Sequence, residues 1–293
     1  MKLLRYGPRG SEKPGLLDNT GMIRDLSGVI DDIAGSALLP EQLAKLKALD
    51  PASLPVVDGD PRLGACVSGI GNFLCIGRNY AEHAEETGAV APPEPILFTK
   101  VTSALAGPND DIIIPYDSHK TDWEVELGVI IGRPAKRVKI EDALRHVAGY
   151  CAVNDVSERT YQLEGTGQWV KGKSCDTFGP IGPWLVTPDE VGDPQDLYLW
   201  LAVDGHRYQD GHTSKMIFGV AYLISYLSHF FTLNTGDLLS TGTPPGVGLG
   251  QRPEPIFLKG GQLITLEVEK LGSRAQRTVQ EAAPVIPSFP PRP

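Results

Sequence analysis

The chain has 293 residues, 41% of them hydrophobic and 22% charged, with a formal net charge of −9. This composition is ordinary for a globular protein, and the length predicts about one to two domains around a sizeable core. The acidic balance and the lack of any Lys/Arg tract exclude nucleic-acid binding, which needs clustered cations to displace counterions, and no uncharged run approaches the roughly 20 residues of a membrane helix.

In chain order, residues 1–70 predict a small N-terminal β domain. KLLRYG, PGLLDN and MIRDLS read as short strands between Gly, Pro and Asn turns. Residues 40–49 have helical spacing, with Pro in the first turn where it is tolerated, and 58–64 read as a linker. Residues 71–275 predict the main domain. FLCIG and PILFTK are strand-like, with a short helix over 79–87 between them. DIIIP and the longer WEVELGVIIG follow as strands rich in β-branched residues. Residues 140–146 predict a helix, GYCAVNDVS a strand, 196–204 and 262–270 further strands, and 216–231 the strongest helix. Residues 276–293 read as a proline-rich tail. The 33 glycines and 25 prolines cut the chain into short segments, as many strands and turns require. The fold class is mostly β, α+β.

The opening MKLLRYGPRG lacks the apolar core of a signal peptide. The cysteines, Cys66, Cys75, Cys151 and Cys175, form no CxxC pair. Both features predict a cytoplasmic protein with buried thiols instead of disulfides or a zinc site.

The segment TDWEVELGVII carries the first sign of chemistry. Side chains alternate along a strand, so Asp122, Glu124 and Glu126 share one face and Trp123, Val125 and Leu127 the other. Three adjacent acids repel, and without a cation some would have raised pKa values. An exposed edge would tolerate them, but these acids lie in a strongly apolar run. Asp155 follows about thirty residues later, directly after the apolar GYCAV strand. Oxygen ligands suit Mg²⁺, Mn²⁺ or Ca²⁺, and no His/Cys set with zinc spacing competes.

A second pattern is His83 and Glu86, i and i+3 on one side of a helical turn. A carboxylate that orients an imidazole makes it a better base toward water, although Glu82 and Glu85 are also near. Lys173, or Lys171 two residues earlier, offers the local cation that an acidic chain needs to hold an anionic substrate. The loop STGTPPGVG offers hydroxyl and backbone donors through Thr241 and Thr243; it lacks the Gly-Lys-Ser/Thr ending of a phosphate loop. No serine, Ser240 included, has a G-x-S-x-G context.

GRNYAEHAEE, PILFTK, WEVELGVIIG, AGYCAVNDVSER, KGKSCDTFGPIGPW and STGTPPGVG occur in that order. Together they resemble the fumarylacetoacetate hydrolase family over roughly residues 70–270. The resemblance implies a β-rich sandwich roll and a divalent metal, Mg²⁺ with Mn²⁺ or Ca²⁺ as alternatives, on Glu124, Glu126 and Asp155. It implies His83 with Glu86 as the catalytic base and Lys173 as the group that stabilises developing negative charge. Arg78, Tyr80, Lys100, Gln162 and Thr243 would contact substrate. The implied activity is metal-dependent hydrolysis of a small 2,4-dioxo acid, an acylpyruvate or a sugar-derived 2,4-diketo-3-deoxy acid, to pyruvate or a related 2-oxo acid. Alternatives are decarboxylation, isomerisation or lyase chemistry on 2-oxo acids, or a non-enzymatic metal-stabilised binding protein. A homodimer is implied as well.

Overall fold

The computed structural model describes residues 1–283. The stretch 284–293, which holds most of the proline-rich segment, lies outside the described residues. The larger sheet runs, edge to edge, Ile23–Asp25, Lys13–Leu17, Lys2–Tyr6, Gly179–Val186, Val147–Asn154, Val125–Ile131, Leu238–Ser240, Phe73–Gly77 and Ile96–Lys100. Leu105–Ala106 pairs with Gly179–Val186 off this path. A five-stranded sheet runs His206–His212, Tyr198–Val203, Leu263–Val268, Gly272–Gln280 and Ile112–Ile114. The result is a strand-rich α+β fold of several sheets, as the sequence predicts.

The centre of the larger sheet is buried on both faces. Val125, Leu127, Val129 and Ile131 point into one core with Leu199, Leu201, Ile264 and Leu266 of the second sheet. Ile130 points the other way, into a core with Leu3, Leu16, Leu38 and Leu46 from the N-terminal segment. A strand covered on both faces reads as a continuous apolar run, which is why VELGVII contains a single charge. That charge, Glu126, has the same parity as Ile130.

The N-terminal strands form no sheet of their own. Lys2–Tyr6 pairs antiparallel with Gly179–Val186, with Leu3 opposite Leu185. Helix Pro40–Lys47 forms where its spacing predicts and buries Leu43 and Leu46. Helix Val220–Phe230 begins later than residue 216, because Thr213–Lys215 makes a 3-10 turn and Gly219 takes the cap position. Its Leu223, Ile224 and Leu227 enter the first core.

Three sequence expectations need correction. The WEVELGVIIG strand starts only at Val125: Val125–Ile131 joins the large sheet, while Thr121–Asp122 just before Trp123 pairs with Ser157–Glu158 in a separate ladder. The Asp122 carboxylate accepts from the Trp123 N–H at 2.7 Å, a local bond that competes with the ladder there. Second, Gly179–Val186 is a central strand although it contains Pro180 and Pro183. Proline cannot donate to a ladder, and that hides the strand from a sequence reading. Third, the strand Gly272–Gln280 continues past residue 276, where the sequence predicts the tail. Its inward side chains are Arg274, Gln276 and Thr278, all buried but polar, so the segment has no hydrophobic alternation to read.

Because Leu3 is buried in a core that also contains Leu185 and Ile130, Leu3→Ala is expected to destabilise the whole chain by about 2–5 kcal/mol. Urea unfolding followed by tryptophan fluorescence and far-UV circular dichroism should shift together in one transition. A separate early transition would contradict the shared core.

Candidate functional site

Strand register assembles the acids. In the antiparallel pair of Val125–Ile131 with Val147–Asn154, Glu126 lies opposite Val153 and Val125 opposite Asn154. One step further, the Asp155 N–H donates to the Glu124 carbonyl at 2.8 Å, and the Glu124 N–H donates to Asn154 Oδ1 at 3.0 Å. Asp155 is thereby fixed beside Glu124, with Glu126 two residues along. One carboxylate oxygen from each of the three lies within 4.8 Å of the others, and all three residues are buried.

Positive charge is packed around two of them. Lys173 Nζ donates to Glu124 Oε2 at 2.7 Å and to Asp155 Oδ2 at 2.8 Å. Lys100 Nζ lies 2.6 Å from Asp155 Oδ1. Arg159 Nη2 lies 2.8 Å from both Glu124 Oε1 and Asp122 Oδ2. Burial alone would raise the Glu124 carboxyl, but Lys173 and Arg159 beside it hold it down at about 2. For Lys173, burial lowers the ammonium's pKa, yet Asp155 and Glu124 together raise it above its ordinary value.

Glu126 differs. Its Oε2 accepts from Ser240 Oγ at 2.5 Å and from the Gly242 N–H at 2.8 Å. Among the described residues, no lysine or arginine reaches it within ion-pair distance. Burial, then the Asp155 and Glu124 charges, push its carboxyl well above the usual range. The joined network thus has four acids, Asp122, Glu124, Glu126 and Asp155, against three bases, Lys100, Lys173 and Arg159. A hard divalent cation suits such a donor set: all oxygen, one acid lacking a cationic partner, and a spacing compatible with metal–oxygen distances of roughly 2.0–2.6 Å.

His83 and Glu86 stand on helix Ala81–Glu86. His83 Nδ1 is 2.8 Å from Glu86 Oε1, and Glu86 Oε2 accepts from the Gly246 N–H at 2.8 Å. Gly246 has φ +106°, and a Cβ there would meet the Tyr208 carbonyl at 1.9 Å, so only glycine can present this N–H. The helix end is held by Arg252, whose Nη2 donates to the Glu86 carbonyl at 2.9 Å.

A single cavity brings His83, Lys173, Glu124 and Glu126 together, with Arg78, Gln162 and Thr243 also on its wall. Gln162 Oε1 accepts from Arg159 Nη1 at 3.0 Å. The Thr243 hydroxyl donates to the Val125 carbonyl at 2.8 Å and accepts from Gln209 Nε2 at 2.7 Å, so its proton is committed to the fold.

Two expected substrate contacts lie elsewhere. Lys100 is fully buried and faces Asp155 and the carbonyls of Val156 and Lys173; it braces a carboxylate instead of lining the cavity. Tyr80 is 1% exposed, off the cavity wall, and its hydroxyl has no hydrogen-bond partner. Sequence reasoning missed Arg159, which lines the cavity and pairs with Glu124. Its signal was its place four residues after Asp155 in an acid cluster that needs cations. Ser240, which the sequence marks only as an improbable nucleophile, uses its hydroxyl to hold Glu126.

Residues 72–279 match the family described as Fumarylacetoacetate (FAA) hydrolase C-terminal. A Burkholderia multivorans protein with a provisional hydrolase name is 62% identical over 278 residues, 95% of this chain and 99% of that one. The crystal structure of a 5-carboxymethyl-2-hydroxymuconate delta-isomerase from Mycobacterium smegmatis is similar with a TM-score of 0.74 and 31% identity, over 97% of this chain and all of that one. A maleylpyruvate hydrolase from Sphingobium sp. SYK-6 is similar with a TM-score of 0.79 and 27% identity, over 96% of this chain and 100% of that one.

The excess acid has a measurable consequence. A carboxyl raised by folding opposes folding once the pH exceeds its unfolded value, about 4.3 for Glu. Glu124, held low, does the reverse: its contribution is present above that value and fades as the pH falls toward about 2. At neutral pH without divalent cations, Glu126→Gln is therefore expected to stabilise the protein by about 1–2 kcal/mol. A divalent cation at a hundred times its Kd should stabilise the wild type by about 2.7 kcal/mol and the variant by much less. Scanning calorimetry with EDTA and with added cation checks both; a destabilised metal-free variant would contradict the charge count.

Proposed function

The chain belongs to the fumarylacetoacetate hydrolase family, and on that premise we propose that it is a Mg²⁺-dependent hydrolase that cleaves a C–C bond of a small 2,4-dioxo acid to give pyruvate, or a related 2-oxo acid, and a carboxylate. The observation that carries this reading is the meeting on one cavity of His83, whose Nδ1 is engaged by Glu86, with Glu124 and Glu126 of the buried carboxylate cluster. Glu124, Glu126 and Asp155 would hold the ion, with Mn²⁺ or Ca²⁺ as alternatives. When bound, it supplies Lewis-acid polarisation of the 2-oxo acid's oxygens.

The rest of the chemistry follows from the chain's own groups. Glu86 engages Nδ1 of His83, which leaves Nε2 as the nitrogen that can take a proton from water. The hydroxide so formed attacks the C4 carbonyl carbon. The C3–C4 bond then breaks, its electron pair goes to C3, and the leaving fragment is the enolate of the 2-oxo acid. Two of the three Lys173 N–H bonds are committed to Glu124 and Asp155. The third remains for a developing oxyanion, where a fixed ammonium in a water-poor site is most effective. Lys173 also supplies the local attraction that an anionic substrate needs in a chain of net charge −9.

A second reading is isomerisation of an unsaturated 2-oxo acid, favoured by the 31% identity to an isomerase. The same His83 would then move a proton between carbons of the substrate. A cytoplasmic homodimer belongs to the proposal too. The dimer is supported by an aromatic row, Tyr222, Tyr226 and Phe230 on one side of helix Val220–Phe230 with Phe218 just before it, in which Phe230 is 64% exposed.

Mg²⁺-dependent pyruvate release from a panel of acylpyruvates is the test. His83→Ala is expected to lower turnover at least about 100-fold, and Glu86→Gln by about tenfold, through loss of base strength. EDTA should stop the reaction in the wild type. Full turnover by His83→Ala on every substrate the wild type accepts would sink the proposal, whereas double-bond migration without pyruvate release would select the isomerase reading.

A further inference from the structure

We propose that the chain carries a second ligand site, independent of the reaction proposed above: a basic hollow within residues 133–146 that takes a small anion with two phosphate groups. The hollow has a volume of about 440 Å³. Arg133, Lys136, Arg137, Lys139 and Arg145 line it, and Asp142 is its only acid among the described residues. In the sequence these cations are interrupted by neutral residues, as in RPAKRVK; the fold gathers them around one space. In a chain of net charge −9, a hollow with four more cations than acids reverses the local field. It is remote from the carboxylate cavity. The central hairpin joins Val125–Ile131 to Val147–Asn154, and the hollow lies at its closed end. Glu126 and Asp155 lie at the open end, roughly 20 Å away along the strands.

A run of surface cations is commonly no more than a solvated face, with both signs interspersed. Here the loop is built and the acids are scarce. The Ala135 N–H donates to the Leu233 carbonyl at 2.8 Å, and the Leu233 N–H returns a bond to Ala135 at 3.0 Å. The Arg137 N–H donates to the Ser228 carbonyl at 2.8 Å, and the Val138 N–H to Ser228 Oγ at 3.0 Å. Ser225 Oγ donates to the Val138 carbonyl at 2.7 Å. These bonds fasten the loop to helix Val220–Phe230 and the residues just after it. They also hold Arg137 in the left-handed region, φ +52°, a costly conformation for a residue with a side chain. The side chains are left available. Arg145 meets Asp142 at 3.0 Å, and Arg133 reaches Glu41 only at 3.6 Å, both pairs largely exposed. Among the described residues, Arg137 and Lys139 have no acid within ion-pair distance.

The charge count selects the ligand. Two phosphate groups carry about three to four negative charges at pH 7, which matches the surplus of four. Two carboxylates carry about two and leave half of it unanswered. Guanidinium forks bind phosphate oxygens in pairs, and lysines add point charges. The volume is that of a small-molecule site. An extended polyanion such as nucleic acid needs a basic stripe, whereas this patch ends within fourteen residues and the acidic remainder of the chain repels such a partner.

Titration calorimetry on the Mg²⁺-loaded full chain tests this without relying on turnover. It is run at about 0.15 M salt, where diffuse attraction is screened beyond about 8 Å. The probes are a hexose 1,6-bisphosphate, the hexose 6-monophosphate and the six-carbon dicarboxylate adipate. The bisphosphate is expected to bind at least about tenfold tighter than either of the others. Arg137 and Lys139 are exposed and bond to nothing through their side chains among the described residues, so the double variant Arg137→Gln/Lys139→Gln should fold normally and weaken the bisphosphate at least about tenfold. Lys13→Gln/Lys259→Gln removes the same charge from exposed positions elsewhere and should change binding less than about twofold. Arg78→Gln, on the wall of the carboxylate cavity, should leave it in place. No binding of the bisphosphate at millimolar concentration overturns the proposal, as does adipate or the monophosphate bound as tightly. Equal losses in the two double variants would reduce the hollow to bulk charge. Loss in Arg78→Gln with full binding in Arg137→Gln/Lys139→Gln would place the anion in the other cavity. Either result also overturns it.

Discussion

Charges buried out of water must be compensated, and that requirement organises the centre of this protein. Asp122, Glu124, Glu126 and Asp155 are each at most 5% exposed. Lys100, Lys173 and Arg159 answer three of them through ion pairs of 2.6–2.8 Å. Removing one partner from such a network leaves an uncompensated buried charge, at a cost of about 3–5 kcal/mol. Glu126 has only the Ser240 hydroxyl and the Gly242 N–H, both neutral donors. The network is therefore one positive charge short, and the shortage lies on the cavity wall.

The fold supplies both the burial and the register. The strand carrying Glu126 is covered on one side by the second sheet and on the other by the N-terminal segment. The same two-sided cover removes competing water from the acids. A one-residue slip between Val125–Ile131 and Val147–Asn154 would turn Glu126 into the first core and separate Asp155 from Glu124. The loop of residues 240–248 then serves two acids at once: Ser240 and Gly242 bind Glu126, while Gly246 binds Glu86. One loop thus links the carboxylate cluster to the imidazole pair across the cavity.

Much of this is legible in the sequence, because the signals are local. The E-x-E alternation in an apolar run announces Glu124 and Glu126, and the i, i+3 spacing announces the 2.8 Å contact of His83 with Glu86. What stays hidden is carried by tertiary direction. Lys100 lies in PILFTK, but whether its ammonium faces a substrate or Asp155 depends on how strand Ile96–Lys100 meets residues 155–156. Arg159 looks like any charge at the start of a helix until the fold brings it to Glu124. The strands Gly179–Val186 and Gly272–Gln280 escape for a different reason: prolines in the first and polar inward residues in the second erase the hydrophobic period that sequence reading relies on.

The central claim is that the buried acids form a cation site, with Glu126 as the member that lacks a protein partner. Anomalous diffraction from crystals soaked in Mn²⁺ tests it most directly. The account predicts one strong peak per chain, within about 2.3 Å of an oxygen from each of Glu124, Glu126 and Asp155. The absence of any peak there, with the Lys173 ammonium still bridging Glu124 and Asp155 and Glu126 bonded only to Ser240 and Gly242, would contradict it.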